Sequence, residues 1–182
     1  MNFKHFALGC VAAFAAVIPT AAKADINNMQ EHEHLWQTLE SAGVTIVINS
    51  PAYCTQGTAG AYNSYESLLF VCQQNAKLPY KEVDWTDFDL DTLRHEAHHV
   101  VQDCLAGNLG DNDFDTLFPQ DGTLKEFVTS ALTKQEIKWV IAKYGSQGAS
   151  DEEILIELEA FAAAKTVNAD TISDAVLNQC NL

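Results

Sequence analysis

Basic side chains are scarce in this chain of 182 residues, which has 10 Lys and Arg against 25 Asp and Glu and a formal net charge of −15 at pH 7. Proteins that bind nucleic acids or anionic membranes need clustered positive charge. A surface this acidic repels both kinds of partner. The composition therefore argues against nucleic-acid and membrane-surface binding and favours neutral or cationic partners.

Internal repeats, low-complexity tracts and linkers rich in Pro, Gly or Ser are also lacking. The one long apolar run is at the N-terminus, where Lys4 precedes residues 6–19 and Ala22-Lys23-Ala24 resembles a signal-peptidase site. This run is too short for a comfortable membrane span. We therefore predict a secretory signal peptide over residues 1–24 and a single domain over residues 25–182. The mature protein is expected to be secreted or periplasmic and free of the membrane.

No two cysteines form a Cys-x-x-Cys pair, which disfavours a cysteine-based zinc site. Four cysteines remain once Cys10 of the predicted signal peptide is set aside, and an even number in an exported protein is typical of disulfides. Three pairings are possible. We predict Cys54–Cys72, between neighbouring segments of a sheet, and Cys104–Cys180, between a central helix and the C-terminus.

The hydrophobic periodicity predicts an α+β fold, with a mostly helical domain and a small antiparallel sheet. The predicted strands are residues 44–49 and 67–73, separated by a glycine-containing loop over residues 55–64. The predicted helices cover residues 25–41, 92–106, 124–132, 135–144, 151–166 and 171–179.

Local signals indicate where several helices begin, because Ser, Thr and Asp side chains can accept hydrogen bonds from the free amides of a first turn. Asp91 and Asp170 are the predicted N-caps of the second and last helices. The segments 133–136 (Thr-Lys-Gln-Glu) and 150–153 (Ser-Asp-Glu-Glu) have the spacing of capping boxes.

The predicted helix 92–106 contains His95-Glu96-Ala97-His98-His99, a complete His-Glu-x-x-His motif. Residues i and i+4 lie on one face of a helix, so His95 and His99 can direct two imidazole nitrogens at one Zn²⁺. Glu96 then lies beside that face, at the position of the general base of a zinc peptidase. A histidine-rich helix without metal is the alternative interpretation.

A catalytic zinc site needs a third protein ligand and an open position for water. The extended pattern with a third histidine fails here, because positions 102 and 105 are Gln and Leu. The other histidines beyond the predicted signal peptide, His32 and His34, are two residues apart and would point away from each other on a helix, where a solvated acidic face is expected. A carboxylate is therefore the better candidate for the third ligand.

The predicted helix 151–166 offers two such carboxylates. Glu157 and Glu159 both lie among apolar residues, where a carboxylate is costly unless it is paired or bound to a metal. The alternative is that both are solvated and that their apolar neighbours alone form the core. The residues themselves do not choose between Glu157 and Glu159.

The segment 95–102 (His-Glu-Ala-His-His-Val-Val-Gln), together with Glu157-Leu158-Glu159-Ala160, resembles the pattern of gluzincins. In these zinc metallopeptidases a second helix supplies a glutamate ligand through a Glu-x-x-Ala-(Asp/Asn) motif. The resemblance implies a zincin-like metallopeptidase that acts on peptide or protein substrates, with Glu157 as the third ligand and Glu96 as the base for a zinc-activated water. Phe161 replaces the usual Asp or Asn, so Glu159 stays an alternative ligand.

Zincins of this kind hold an extended peptide along the edge strand before the motif helix, which the sequence places at residues 67–73. A group that stabilises the oxyanion is also expected, with Tyr62, Tyr65, Tyr144 and His98 as candidates. Two competing hypotheses are an exported, disulfide-bonded binding protein with a vestigial or structural zinc site, and a metal-sequestering protein.

Overall fold

The computed structural model describes residues 26–55, 57–77 and 81–180, so the predicted signal peptide lies outside the described residues. The described part is α+β, as predicted, with six α-helices and a three-stranded sheet. None of these helices is long and apolar enough to cross a membrane. The elements are α1 (Met29–Ser41), β1 (Thr45–Ile48), β2 (Gly60–Asn63), β3 (Leu68–Val71), α2 (Asp87–Ala106), α3 (Thr123–Ala131), α4 (Lys134–Ser146), α5 (Asp151–Thr166) and α6 (Ala169–Gln179).

The sheet is mixed, whereas the sequence predicted an antiparallel one. Its order is β1-β3-β2; β1 pairs parallel to β3, with Thr45 opposite Leu68, and β2 pairs antiparallel to β3, with Tyr62 opposite Leu69. Strand β2 falls in the segment predicted as a loop. It reads Gly-Ala-Tyr-Asn and has no β-branched residue, so its extended state comes from pairing with β3 rather than from local preference.

The motif helix α2 begins at Asp87, five residues before the predicted start. Thr86 is its N-cap: the Thr86 side chain accepts from the amide of Asp89, and the Asp89 carboxylate accepts from the amide of Thr86 at 2.9 Å. The predicted N-cap Asp91 lies inside the helix and pairs with Arg94. Because this capping box precedes the apolar repeat, periodicity alone placed the start too late.

The later helix starts agree more closely with the predictions. The capping boxes at Thr133 and Ser150 are both present, so the predicted starts of α4 and α5 are confirmed to within one residue. The last helix begins at Ala169, capped by Asn168. Asp170, the predicted cap, instead accepts a hydrogen bond from His34 Nδ1 at 2.9 Å.

Helix α2 lies at the centre of the molecule. One apolar core packs it against the sheet, α1 and α6, and a second core joins α3, α4 and α5. Along α2 every residue from Thr92 to Cys104 is buried, including the whole motif. The polar side chains of α2 therefore need partners inside the protein, which makes this helix the natural place for a functional site.

Arg94, next to the first motif histidine, joins three helices. Its guanidinium is fully buried, which is costly unless its N–H groups find acceptors. Each partner lies on α1 or the segment before it, on α2, or on α5. These partners are the Ile26 carbonyl (2.8 Å), Asn27 Oδ1 (3.1 Å), His32 Nε2 (2.7 Å), the Asp91 carboxylate and the Ala164 carbonyl (2.9 Å).

His32 is buried under this guanidinium and is not the solvated residue that the sequence predicted. Its Nδ1 donates to the Asn28 carbonyl at 2.7 Å, so its Nε2 accepts from Arg94. Burial lowers the pKa of His32, and the Arg94 charge adds to this; the Asn28 bond and the Asp91 charge oppose them. The folded protein therefore holds His32 neutral.

We predict that acidification destabilises the fold through His32. Because its folded pKa lies below the unfolded value of about 6.5, the contribution is complete above pH 6.5 and is lost as the pH falls through the folded pKa. Urea unfolding of the wild type and of His32→Gln at pH 7.5 and pH 5 isolates this residue, since the other titrating groups are common to both. The variant should lose less stability on acidification, whereas exposed His34→Gln should behave like the wild type. Equal losses in all three proteins would contradict the prediction.

Both predicted disulfides are confirmed. Cys54–Cys72 joins the loop before β2 to the end of β3, and Cys104–Cys180 joins the last turn of α2 to the end of α6. The loops that they close span 18 and 76 residues in sequence. Two disulfides fit an oxidising compartment.

We predict that the longer bridge contributes more to stability. Removing Cys104–Cys180 with a double serine variant should lower the free energy of unfolding by about 2–5 kcal/mol, because the unfolded chain regains the entropy of an open loop. Removing Cys54–Cys72 should cost less in the chain-entropy account. Denaturant unfolding without reductant measures both losses. The reverse order would show that native packing around the bridges, and not loop length, sets their contribution.

Candidate metal centre

Three side chains from two helices converge on one point. Helix α2 contributes His95 and His99, and α5 contributes Glu157, which is the arrangement that the resemblance to gluzincins implied. The two Nε2 atoms lie 3.1 Å apart, and Glu157 Oε2 lies 3.4 Å from His95 Nε2 and 3.7 Å from His99 Nε2. Together the three residues form a group that could hold a metal ion.

The distances between the three candidate ligand atoms fit a first-row transition metal with tetrahedral coordination. Zinc-to-ligand distances of about 2.0–2.2 Å at tetrahedral angles separate neighbouring ligand atoms by about 3.3–3.5 Å. The three separations above lie close to this range. Glu157 Oε2 is buried and has no well-formed hydrogen bond, although it faces both histidines. The Glu157 side chain is still 20 % exposed, which leaves an approach from solvent.

His99 is held in one tautomer by Gln102, which lies one helical turn further along α2. The Gln102 amide nitrogen donates to Glu159 at 2.7 Å, so its oxygen must face His99, where it accepts from His99 Nδ1 at 2.7 Å. The proton on Nδ1 leaves His99 Nε2 as the nitrogen that can bind a metal. In the sequence, position 102 is a failed match to a third histidine ligand, and its i+3 spacing from His99 is the signal for its role.

Glu159 lies outside the metal group and organises its surroundings. The carboxylate is fully buried. It accepts hydrogen bonds from two loop amides and two side chains, so it has no free oxygen aimed at the metal group. The donors are Leu117 N (3.1 Å), Phe118 N (2.9 Å), His98 Nε2 (3.2 Å) and Gln102 Nε2 (2.7 Å).

The ring of His95 is held by packing. Phe161, at the position where gluzincins have Asp or Asn, lies 4.3 Å from it between ring centroids. Trp139 and Tyr144 in turn contact Phe161, with centroids at 5.8 and 6.4 Å. His95 Nδ1 has no hydrogen-bond partner among the described residues. The orientation of the His95 ring therefore depends on packing against aromatic side chains and not on a hydrogen bond to a carboxylate.

The electrostatic environment of His95, His99 and Glu157 favours a bound proton or a bound cation. Burial raises the pKa of Glu157, but the nearby His95 and His99 outweigh it and hold that pKa well below the usual range. Burial lowers the pKa of His99, but Glu157 and Glu96 outweigh it and raise the pKa to about 9. In the metal-free protein the group thus retains a proton, which a metal ion would displace.

Glu96 lies at the edge of the sheet. A Cβ added at Gly60 would be 2.7 Å from Thr92 Cγ2, 2.8 Å from the Phe70 carbonyl and 3.3 Å from Glu96 Cγ, so only glycine permits this approach of β2 to α2. Burial raises the pKa of Glu96, while the nearby His95 and His99 and the Tyr62 amide oppose the rise. A carboxylate with a raised pKa is better suited to accept a proton.

The peptide-binding strand predicted at residues 67–73 does not lie at an edge. Those residues form β3, which is paired on both sides. The edge beside the metal group is β2. The Ala59 carbonyl accepts from Cys72 N, so the antiparallel alternation turns the main-chain groups of Gly60 and Tyr62 away from β3.

Comparisons with family models, with curated proteins and with solved structures found no match to this chain. The function of the protein is therefore inferred from the chemistry and geometry of the site. The resemblance to gluzincins remains a resemblance of motifs.

Three of the four predicted oxyanion candidates are placed elsewhere. The Tyr62 hydroxyl donates to Asp103 at 2.6 Å, His98 donates to Glu159, and Tyr65 is 73 % exposed. Tyr144 is the exception. Its ring contacts Phe161, which packs against His95; burial raises the pKa of Tyr144, and the neighbouring Glu157 and Glu96 raise it further.

Proposed function

We propose that the protein is an exported zinc metallopeptidase that hydrolyses peptide bonds with Glu96 as its general base. The observation that carries the proposal is the convergence of His95, His99 and Glu157 beside a buried Glu96 and the edge strand β2 of the described sheet. Two imidazoles and one carboxylate are a ligand set of catalytic zinc, whereas Ca²⁺ and Mg²⁺ prefer oxygen ligands.

Each residue of the site has a separate role in the proposed hydrolysis. A zinc ion held by the three ligands would polarise the scissile carbonyl and lower the pKa of a water molecule. The Glu96 carboxylate accepts the proton of that water and delivers it to the leaving amine. Gln102, through His99, and Phe161, against His95, keep the ligands in position.

The substrate would add a strand to β2. The main-chain groups of Gly60 and the carbonyl of Tyr62, which face away from β3, can pair with an extended peptide next to Glu96; the Tyr62 amide is directed at the Glu96 carboxylate. Main-chain pairing gives affinity with little dependence on sequence. This predicts a peptidase that prefers unfolded segments over folded proteins.

We predict that Tyr144 stabilises the oxyanion. Tyr144→Phe should retain zinc and the fold but lower kcat by about 10–10³-fold, because a donor aimed at developing charge acts mainly in the transition state. Tyr65→Phe is the matched control, since that hydroxyl is exposed to solvent. Steady-state kinetics on one peptide substrate compares them. A Tyr144→Phe variant with unchanged kcat would remove Tyr144 from the mechanism.

The proposed function is tested by metal analysis and peptide cleavage. Protein purified without added metal should contain one Zn²⁺ per chain. It should cleave members of a diverse peptide library, and a chelator should abolish the cleavage until zinc is restored. Zinc-loaded protein that cleaves nothing would favour the alternative, an exported binding protein with a structural zinc site.

A further inference from the structure

A cavity of about 360 Å³ lies at the start of β2, outside the metal group. It opens where β2 and β3 cease to pair, between the Cys54–Cys72 loop and the first turn of α2. None of the described side chains around it is charged. The wall includes the Cys54–Cys72 bridge, Ala59, Ala76 and Phe88, together with neutral threonine and glutamine side chains.

The cavity adjoins the start of β2, the edge strand of the described sheet. Ala59 belongs to its wall and directly precedes Gly60, which contacts Glu96. On the helix side, Phe88 precedes Glu96 by eight residues, a rise of about 12 Å along α2. An extended peptide advances about 3.3 Å per residue, so three to four residues span this distance.

Phe88 determines the chemistry of the cavity. Its side chain is 48 % exposed although it stands in the first turn of a helix that is otherwise mostly buried. The ring, the Cys54–Cys72 bridge and Ala76 offer apolar surface, and the threonine and glutamine side chains are neutral. A large apolar side chain would bury this surface, whereas a carboxylate or ammonium would find no opposite charge among the wall residues.

We propose that this cavity is a distal substrate subsite for a large apolar side chain, three or four residues to the C-terminal side of the scissile bond. The inference rests on the proposed peptidase function and on antiparallel pairing of the peptide with β2. Antiparallel pairs are somewhat more stable per residue than parallel ones, and they direct the C-terminal part of the peptide toward Ala59 and Phe88. The enzyme is then an endopeptidase that needs several residues beyond the cleaved bond.

The test combines cleavage with binding. Libraries randomised on both sides of the cleaved bond should show selection for Phe, Leu or Met at the third or fourth residue after it. Phe88→Ala should reduce that selection about tenfold or more, which is the range for apolar pockets, and Phe88→Leu should restore most of it. Leu177→Ala, an exposed apolar residue on α6, is the control.

A binding measurement tests this subsite independently of the cleavage step. Zinc-loaded Glu96→Gln protein should bind a peptide with Phe at the selected position about tenfold more tightly than one with Asp there, and Phe88→Ala in the same background should abolish the difference. Cleavage with no selection at these positions, selection on the N-terminal side only, or selection unaffected by Phe88→Ala would refute the subsite and leave the peptidase function standing. Absence of both cleavage and peptide binding would overturn both proposals.

Discussion

Replacing Glu96 with glutamine should leave zinc binding and the fold intact and lower kcat/KM for peptide cleavage by about 10²–10⁴-fold, the usual contribution of a positioned general base. The amide has nearly the same shape as the carboxylate, so it still fits against Gly60. It cannot accept a proton from water at neutral pH. The loss should therefore appear in the chemical step rather than in substrate binding.

A matched control and a metal measurement make this result decisive. Glu152→Gln, on an exposed part of α5, makes the same chemical change away from the site and should be fully active. Zinc content and denaturant unfolding should be the same for both variants and the wild type. A Glu96→Gln variant that retains zinc and most of its activity would refute the role of Glu96 as the base.

Removing any one of His95, His99 or Glu157 should abolish tight zinc binding. A ligand contributes a direct bond to the metal, so its loss should exceed the 10–100-fold that is typical of losing a group that only orients a ligand. His95→Ala, His99→Ala and Glu157→Gln are compared with the wild type by competition with a zinc chelator. His32→Ala and His34→Ala should retain wild-type affinity, because neither residue is in the metal group.

Glu159→Gln tests the division of roles on α5. Its carboxylate holds Gln102, which holds His99, so the variant should lose zinc affinity by about 10–100-fold without losing the site. The assignment would be overturned if Glu159→Gln lost zinc while Glu157→Gln kept it. Full zinc occupancy in a His95→Ala, His99→Ala double variant would also overturn the assignment of the metal ligands.

The parts of the site that lie on one helix could be predicted from the chain. His95, Glu96 and His99 are related by helical spacing, so their common face follows from local geometry once the segment is helical. The disulfide pairing was also accessible, because it followed from a correct order of elements. The start of α2 was missed by five residues, since its capping box at Thr86 lies before the apolar repeat.

The choice between Glu157 and Glu159 depended on how α5 packs against α2. Both glutamates lie among apolar residues in the sequence, and they are two positions apart, so only the rotation of α5 decides which one faces His95 and His99. The structure turns Glu157 toward them and Glu159 toward Gln102 and the loop amides of Leu117 and Phe118. No local signal specifies that rotation.

The substrate edge was likewise decided by long-range pairing. Residues 67–73 have the stronger strand preference, and this places them in the middle of the sheet rather than at its edge. The edge strand is Gly60–Asn63 instead, although its sequence is typical of a loop. The glycine of this strand allows close contact with Glu96. Helical spacing thus specified the two histidines and the base, because these contacts lie within one turn of a helix. The third ligand, the groups that orient it and the peptide-binding edge required contacts between residues distant in the chain, which only the packed tertiary structure brings together.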